Sequence, residues 1–394
     1  MGYCYAIIGT GRQGTASAYD LAKFGEADVV LMADVDGRAA EAASQRVNAL
    51  IGKPLAQSAA LDAGDAPAVA EWLRKNGIAT FVSAVPYFFN LGLTEAAIGA
   101  GSGMTDLGGN SDVVIAQLER DSKARQAGIA VVPDCGQVPG MGTTLILYAM
   151  EQLDEAQDVY MWDCGLPQHP EPPWNYRLAF SIEGLTNEYY GDCLYIRDGK
   201  TVAVPALEEY EVLNFPEPLG KLEGFTTAGG LTTAARTFAG RLRTLQNKTL
   251  RYTGNYQQLT VMRDLGLLSP DPIEVDGVRI SPRQMLHALW DPQIRADPDT
   301  RDLILIHILA RGLKNGQPHE VIVQLLHYYD EQTGFTAMEQ ATGWHASIMA
   351  HAIARGAVRR GIVPVEEAMS GSVFVDEAAK RGFKVRVEGT SAPT

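Results

Sequence analysis

The chain has 394 residues, 46% of them hydrophobic and 20% charged, with a formal net charge of -14. That length gives room for two domains with cores of their own, and the acidic balance argues against nucleic acid as a partner. No apolar run approaches membrane-spanning length. The four cysteines, Cys4, Cys135, Cys164 and Cys193, lie too far apart for metal or redox spacing. They read as reduced packing residues and no metal is expected. With a strand starting almost at once and no signal-like stretch, the expectation is a cytoplasmic protein.

Taken in chain order, Ala6, Ile7 and Ile8 read as a short buried strand. Gly9, Gly11 and Gly14 then spell GxGxxG, and Thr15–Phe24 continues as a helix. Strand, glycine turn and helix stand in the order that a dinucleotide site requires. Gly9 permits the turn, Gly11 lets a pyrophosphate approach the backbone, and Gly14 lets the helix sit close to the strand. Arg12 and Gln13 open the helix whose N–H groups would face the phosphates. A second strand, Val29–Met32, leads to Asp34, twenty residues beyond Gly14. That is where an acid hydrogen-bonds the adenosine ribose, although Asp-Val-Asp-Gly is also good turn chemistry. An acid there favours NAD over NADP, with Arg12 and Arg38 as residues able to tolerate a 2′-phosphate.

Asp36–Leu50 reads as an Ala-rich helix and Ala56–Leu61 as a short third strand. Asp62, after that strand, is a candidate beside the adenine, while Asp65 and Pro67 suit the start of a helix over Ala66–Asn76. Ile78–Val85 is the fourth strand, and Val85 and Pro86 at its end should border the nicotinamide. Tyr87 and Phe88 suit either a pocket wall or the core. Leu91–Ala100 is a helix, Met104–Asn110 a strand and turn that place Leu107 and Gly108 near the cofactor, Val113–Ala127 a helix and Ile129–Val132 a strand. This alternation implies a Rossmann-type, doubly wound parallel sheet.

The Gly/Pro-rich stretch Pro133–Gly142 marks a domain boundary before a helix over Thr143–Gln152. Beyond it, Val159–Leu166, Leu194–Arg197, Leu250–Thr253, Leu303–Leu309 and Val321–Tyr329 read as strands without regular helices between them. That pattern suggests an α+β domain with a largely antiparallel sheet. Gly343–Arg359 is a late helix whose apolar stripe includes Trp344, Ile348 and Ala352, suited to packing back on the first domain. The residues after Thr390 are expected to be disordered.

Three stretches of the second domain carry candidate substrate chemistry. In Glu171–Leu185, Tyr176 and Trp174 suit an apolar wall and Glu183 suits an ammonium group, as does Asp106 from the first domain. In Thr227–Thr233, the Gly-Gly pair followed by Thr232 and Thr233 can present donors to a carboxylate. In Arg251–Asn255, Arg251 can fork onto a carboxylate. Each also has a plainer reading as a turn, a cap or a surface pair. The histidines show no paired spacing, so the sequence names no catalytic base.

These stretches together, in the same order along nearly the whole chain, resemble the saccharopine dehydrogenase-like family. The run Pro170–Pro173, Tyr176 and Phe180–Leu185 most resembles its lysine 6-dehydrogenase branch. The resemblance implies NAD(P)-dependent oxidation of an amino acid at a carbon bearing an amine. For that branch the substrate is L-lysine, oxidised at the ε-carbon with NAD and loss of ammonia, and the semialdehyde closes to Δ1-piperideine-6-carboxylate. It also implies a homodimer, a nucleotide domain over residues 1–135 with 341–394, and a substrate-binding and dimerisation domain over 136–340. Asn255 and Leu231 depart from the family pattern, where His and Thr are common. Two alternatives stay open. One is a saccharopine-type enzyme acting on a secondary amine, for which Arg177 and Arg236 are the cations to watch. The other is an NAD-binding sensor without catalysis. Neither nucleic acid nor membrane is an expected partner.

Overall fold

The computed structural model describes residues 2–391, and they divide into two compact units. The first comprises residues 1–144, 331–335 and 339–377, and the second 145–330, 336–338 and 378–394.

In the first unit, β1 (Tyr3–Ile8), β2 (Ala27–Asp34), β3 (Ala56–Ala60), β4 (Thr80–Ser83), β5 (Gly103–Asp106) and β6 (Ala130–Val132) alternate with helices. The helices are α1 (Arg12–Phe24), α2 (Gly37–Ile51), α3 (Ala66–Lys75), α4 (Asn90–Ala100), α5 (Ser111–Leu118) and α6 (Asp121–Ala127). The expected single helix over Val113–Ala127 is two. Asn110 caps the first of them, its side chain accepting from the Val113 N–H, and Arg120 N-caps the second. The strands form one parallel sheet in the order β6-β5-β4-β1-β2-β3, with a further short strand, β17 (Gly361–Ile362), beside β6. Strand order reverses between β1 and β4. Their C-terminal ends therefore flank the crevice where doubly wound sheets bind ligands. Ile8, Phe81, Leu93, Met104 and Val131 fill the core on one side of the sheet.

After α7 (Met141–Glu151), the second unit is built on a larger mixed sheet. Its strands are β7 (Glu155–Pro167), β8 (Asp192–Arg197), β9 (Lys200–Pro205), β10 (Glu211–Asn214), β11 (Lys221–Thr226) and β12 (Thr244–Tyr252), then β15 (Asp302–Lys314) and β16 (Gln317–Tyr328). The separate hairpin of β13 (Ile273–Val275) and β14 (Val278–Ile280) lies between them in sequence. Helices α8 (Ile182–Glu188), α9 (Ala234–Thr237), α10 (Asn255–Asp264) and α11 (Pro282–Ile294) complete the unit. All pairings of the large sheet are antiparallel except β12 with β7.

The late helix, α12, runs over Ala337–Ala354 and starts six residues earlier than expected. Its residues from Glu339 onward belong to the first unit, where Gly343 makes the approach to α1 possible. A Cβ at Gly343 would stand 2.9 Å from the Ala16 Cβ and from the Gln13 carbonyl oxygen. Ser17 Oγ donates to the Gly343 carbonyl at 3.0 Å, and Ser347 Oγ donates to Asp20. The segment after residue 377 departs from the expected boundary. Val385–Ser391 forms a strand, β18, that pairs with β16 in the second unit's sheet. The edge of β16 offers unpaired backbone groups, and β18 satisfies them. Of the tail expected to be disordered, Ser391 ends this strand and residues 392–394 lie outside the described residues. Among the described residues, no helix is long and apolar enough to cross a membrane, and no cluster of side chains could hold a metal ion.

Candidate active site

The glycine turn sits where its motif requires. Gly9 has φ +97°, and a Cβ there would lie 2.6 Å from the Ala84 carbonyl oxygen, because the turn after β1 abuts the loop after β4. A Cβ at Gly14 would be 1.9 Å from the Gly9 carbonyl oxygen, so only glycine lets α1 leave the turn at this angle. At Gly11 the opposite holds: a Cβ would meet nothing within 4 Å. Gly11 is also the N-cap of α1, a residue with no side chain to cap that helix. Open space in front of helix N–H groups fits a pyrophosphate. Arg12 pairs with Glu339 at 3.4 Å, and both atoms of the Gln13 amide are buried without a hydrogen-bond partner.

Asp34 closes β2 beside this turn. Its Oδ2 accepts from the Thr10 N–H at 2.7 Å and from the Thr10 hydroxyl at 2.9 Å, and its Oδ1 accepts from the Asp36 N–H at 3.0 Å. An ionised carboxylate has about four lone-pair positions, so ribose hydroxyls still find acceptors there. Asp62 uses Oδ1 to accept from the Gly64 N–H at 2.8 Å, and Asp65 caps α3. Val85 and Pro86 follow β4, Val85 half-buried and Pro86 exposed.

Asp106 has a different role from the ammonium partner expected of it. It is fully buried, and its Oδ1 accepts from the N–H groups of Gly108 at 2.9 Å and Asp134 at 3.1 Å, while Oδ2 accepts from Gln117 at 2.8 Å. Burial raises its pKa. Asp106 thus ties the loop carrying Leu107 and Gly108 to the loop after β6.

In the second unit, strand register assembles a polar cluster inside an apolar core. Asp163 on β7 stands opposite Thr249 on β12. Because side chains alternate along a strand, Asn247, Thr249 and Arg251 share one sheet face with Asp163 and Gly165. Arg251 is 3% exposed. Its Nε and Nη2 donate to the Tyr189 hydroxyl at 3.1 and 2.9 Å, Nη1 donates to the Leu250 carbonyl, and Nη2 reaches Glu188 at 3.4 Å. The guanidinium carbon lies 4.8 Å from the centre of the Tyr176 ring.

The electrostatics of this cluster are strongly perturbed. Burial pushes Asp163 up to about 7, against the pull of Arg251 and of the Asn247 amide. Burial also pushes Glu188 up to about 7, with Arg251 opposing and Asp163 adding to the rise. Tyr189 is raised to about 12, and Tyr176 is raised as well, both chiefly by burial. Burial works against the charge on Arg251, but the tyrosines and Glu188 outweigh it and the guanidinium stays charged.

The structure therefore brings together Tyr176 and Arg251 of the expected substrate residues. Glu183 lies elsewhere. It sits exposed in the first turn of α8, where its Oε2 accepts from Ser181 Oγ at 2.7 Å. Burial opposes its charge, yet that hydroxyl and the charges of His287 and Arg295 hold its pKa below the usual range. The acid that meets Arg251 is Glu188, at the other end of the same helix. Thr232 Oγ1 donates to its own turn at Gly229 O, 2.8 Å away, and Thr233 is the N-cap residue of α9. Both threonines are buried. Asn255 donates to the Trp174 carbonyl at 2.6 Å, and Trp174 donates to Gln293 at 3.1 Å. Arg177 pairs with Glu171 at 2.5 Å.

Asp163, Asn247, Glu188 and Tyr189 were missed from sequence. Asp163 stands inside a strand, Tyr160-Met161-Trp162-Asp163-Cys164-Gly165, and an acid within a buried strand was the available signal. A small pocket follows along the same face, lined by Gly165, Tyr176, Arg177, Phe180, Asp302 and Thr336 among others.

Comparison with known proteins identifies the family and the fold. A family model described as the saccharopine dehydrogenase NADP binding domain matches residues 5–132, and one described as the saccharopine dehydrogenase C-terminal domain matches residues 136–383. Carboxynorspermidine synthase of Vibrio cholerae is 28% identical over 214 residues, which cover 53% of this chain and 50% of that protein. The chain thus spans about half the length of that relative. Carboxyaminopropylagmatine dehydrogenase of a Synechocystis species is 22% identical over 322 residues, 79% of this chain and 78% of that one. Among solved structures, the apo saccharopine dehydrogenase (L-Glu forming) of Saccharomyces cerevisiae has a TM-score of 0.75 at 17% identity, covering 99% of this chain and 100% of that one. That likeness is one of fold.

Proposed function

This chain belongs to the saccharopine dehydrogenase family, and from that premise we propose that it makes or breaks a carbon–nitrogen bond in a secondary amine bearing a carboxylate. The observation that carries the reading is the Arg251 constellation: a charged guanidinium, buried in an apolar sheet face and stacked on Tyr176, in a chain that also carries an open glycine turn. A buried cation held by aromatic and acidic neighbours suits an anionic, amino-acid-like substrate. The names of the relatives support the same class, since carboxynorspermidine and saccharopine are both secondary amines with carboxylate groups.

In the joining direction, an amine adds to a carbonyl carbon, water leaves, and the resulting imine takes a hydride and a proton. A nicotinamide dinucleotide supplies or accepts that hydride when bound. On this reading Gly9, Gly11 and Gly14 shape its phosphate site, Asp34 meets the ribose, and Val85, Pro86, Leu107 and Gly108 border the reactive ring. Asp34 favours NAD, because a 2′-phosphate would bring negative charge against the carboxylate. Tyr176 walls the substrate site and Arg251 sets its charge.

Oxidative deamination of L-lysine at the ε-carbon is the narrower form of the same chemistry, with water in place of the second amine. The Phe180–Leu185 run supports it, but none of the relatives named above is a lysine 6-dehydrogenase, so the secondary-amine form is preferred. One assay separates the two. Absorbance in the NADH band is followed with NAD+ and NADP+ against saccharopine-type secondary amines and against L-lysine labelled with nitrogen-15 at the ε-amine. Turnover of a secondary amine without ammonia supports the proposal. Labelled ammonia from lysine, with no secondary amine turned over, replaces it with the deamination. No turnover in either direction, with cofactor bound, favours a sensor.

A further inference from the structure

The Arg251 cluster has more acid than its one cation can serve. Arg251 donates to Tyr189, to the Leu250 carbonyl and to Glu188. Asp163 stands on the same sheet face, 7% exposed, and Asn247 beside it is 1% exposed. The Oδ1 atom of each is buried and has no hydrogen-bond partner. The Asn247 amide lies close enough to Asp163 to lower its pKa, and the amide's own oxygen is the atom left without a donor. Two buried acceptors, one of them a carboxylate, therefore lie on one sheet face without a donor. A buried acceptor left unpaired is destabilising, and a group that brings both N–H donors and positive charge satisfies both.

Space near the cluster points the same way. Gly165 is the next residue on the same face of β7 and lines the small pocket together with Tyr176. A Cβ at Gly165 would stand 2.3 Å from the Met338 Cε, the flexible end of a side chain that would have to shift. Tyr176 is common to the pocket wall and the Arg251 stack.

We propose that Asp163 and the Asn247 carbonyl oxygen form the binding site for an alkylammonium group of the substrate, the one that does not react. The assignment rests on the amino-acid oxidoreductase reading and names the end of the substrate that the second unit grips. A primary ammonium has three N–H donors, enough for Asp163, Asn247 and one further acceptor. Its charge also balances Glu188 and Asp163 against the single guanidinium. The ionisation of Asp163 supports the same picture: burial holds its pKa near 7, so a cation arriving at neutral pH drives out a proton.

The test is calorimetry on the full chain with three probes: L-lysine and 1,5-diaminopentane, which carry a distal ammonium, and hexanoate, which does not. In Asp163→Asn, binding of the two amines should weaken roughly thirty-fold or more, as expected when a buried charge partner is lost. Hexanoate should bind both proteins equally. Equal amine binding by variant and wild type overturns the site, and so does the absence of amine binding to the wild type. Should the variant fail to fold, the wild type alone decides. Titration with 1,5-diaminopentane at pH 7 in buffers of different ionisation heat should show net proton release, and none overturns the proposal. Loss of amine binding in Asp163→Asn, together with no turnover of any secondary amine, would instead overturn the proposed reaction and leave this site standing.

Discussion

The two units build their candidate sites from different parts of the chain. In the first, the site is made of backbone: glycines that a Cβ would block, and a helix that starts on a glycine. In the second it is made of side chains that sequence separation hides, since Asp163, Glu188 and Arg251 come from one strand, a helix end and another strand. A backbone site is written in consecutive residues, because the turn and the helix that follows are local. A side-chain site across a sheet is written in register, which depends on pairing between distant strands. The contrast teaches which kind of mutation each half should feel. The first half should be intolerant of added volume, and the second intolerant of lost or unbalanced charge.

The largest effects should come from breaking each half in its own way. Gly14→Ala puts a Cβ into a space where the Gly9 carbonyl oxygen stands 1.9 Å away, and that backbone cannot yield without moving the turn. Dinucleotide affinity should fall on the order of 100-fold, as expected for roughly ångström-scale misplacement of a binding element. Fluorescence titration of the bound cofactor measures it, and near-normal affinity would mean that the turn does not position the phosphates. Arg251→Ala should cost about 3–5 kcal/mol of stability, because Glu188 and the Tyr189 hydroxyl lose their buried cation. It should also lower kcat/KM by roughly 100-fold. Arg251→Lys keeps the charge but not the paired contact with Tyr189, so it should recover part of the stability and less of the activity. Denaturant unfolding and steady-state rates measure the two losses separately.

That contrast also explains how much could be read from sequence. Gly9, Gly11, Gly14 and Asp34 were legible because a short strand, a turn and a helix occupy thirty-odd adjacent residues. The parallel sheet followed from regular alternation. In the second unit Arg251 and Tyr176 were legible as residue types in a distinctive run, but their partners were not. Glu183 and Glu188 lie five residues apart on one short helix. Nothing in composition says which of them turns inward, because α8 is too short for a clear periodicity. Strands β9, β10 and β18 escaped notice because each lies at a sheet edge, as Lys200–Pro205 and Glu211–Asn214 illustrate, whereas β11 was missed although it is an inner strand buried along most of its length.

Two intermediate effects sharpen the comparison. Asp34→Ala removes the ribose acceptor and frees the Thr10 N–H and hydroxyl that now bond to it. NAD+ should bind roughly tenfold more weakly while NADP+ changes little, which narrows the preference between them. Comparable losses for both cofactors would show that Asp34 supports the turn and does not read the ribose.

The second effect is on stability against pH. Asp163 and Glu188 are held protonated up to about 7 in the folded chain, chiefly by burial, whereas unfolded carboxyls ionise near pH ~4. Between those values the folded state binds more protons than the unfolded one. Stability should therefore fall as pH rises from about 4 to about 7. Arg251, Tyr189, Tyr195 and Cys164 also interact with Asp163, and none of the four changes charge in that window. Asp163→Asn removes the Asp163 share of the trend, so the melting temperature of the variant relative to wild type should climb across that window and level off above it. A constant difference would place the titration on other groups.

The smallest expected effect is the most discriminating. Glu183 is one of the two acids that the sequence offers for the substrate's ammonium group. The structure instead leaves it exposed on the first turn of α8, bonded to Ser181 and near His287. An acid in that place contributes a favourable charge at a helix N-terminus, worth about 0.3–1 kcal/mol, and Glu183→Gln removes that and little else. Its kcat/KM should stay within roughly twofold of wild type, with a melting temperature lower by about a degree or two. Glu188→Gln, five residues on, takes a carboxylate from beside a buried guanidinium and should lower kcat/KM about tenfold. Glu183→Gln and Glu188→Gln are the same chemical change on the same helix, so differences in solvent or assay cancel between them. If Glu183→Gln is the more damaging of the two, the substrate meets the exposed start of α8 and the Arg251 cluster is a structural knot. If Glu188→Gln is, the buried face of the sheet is where the substrate's charges are read.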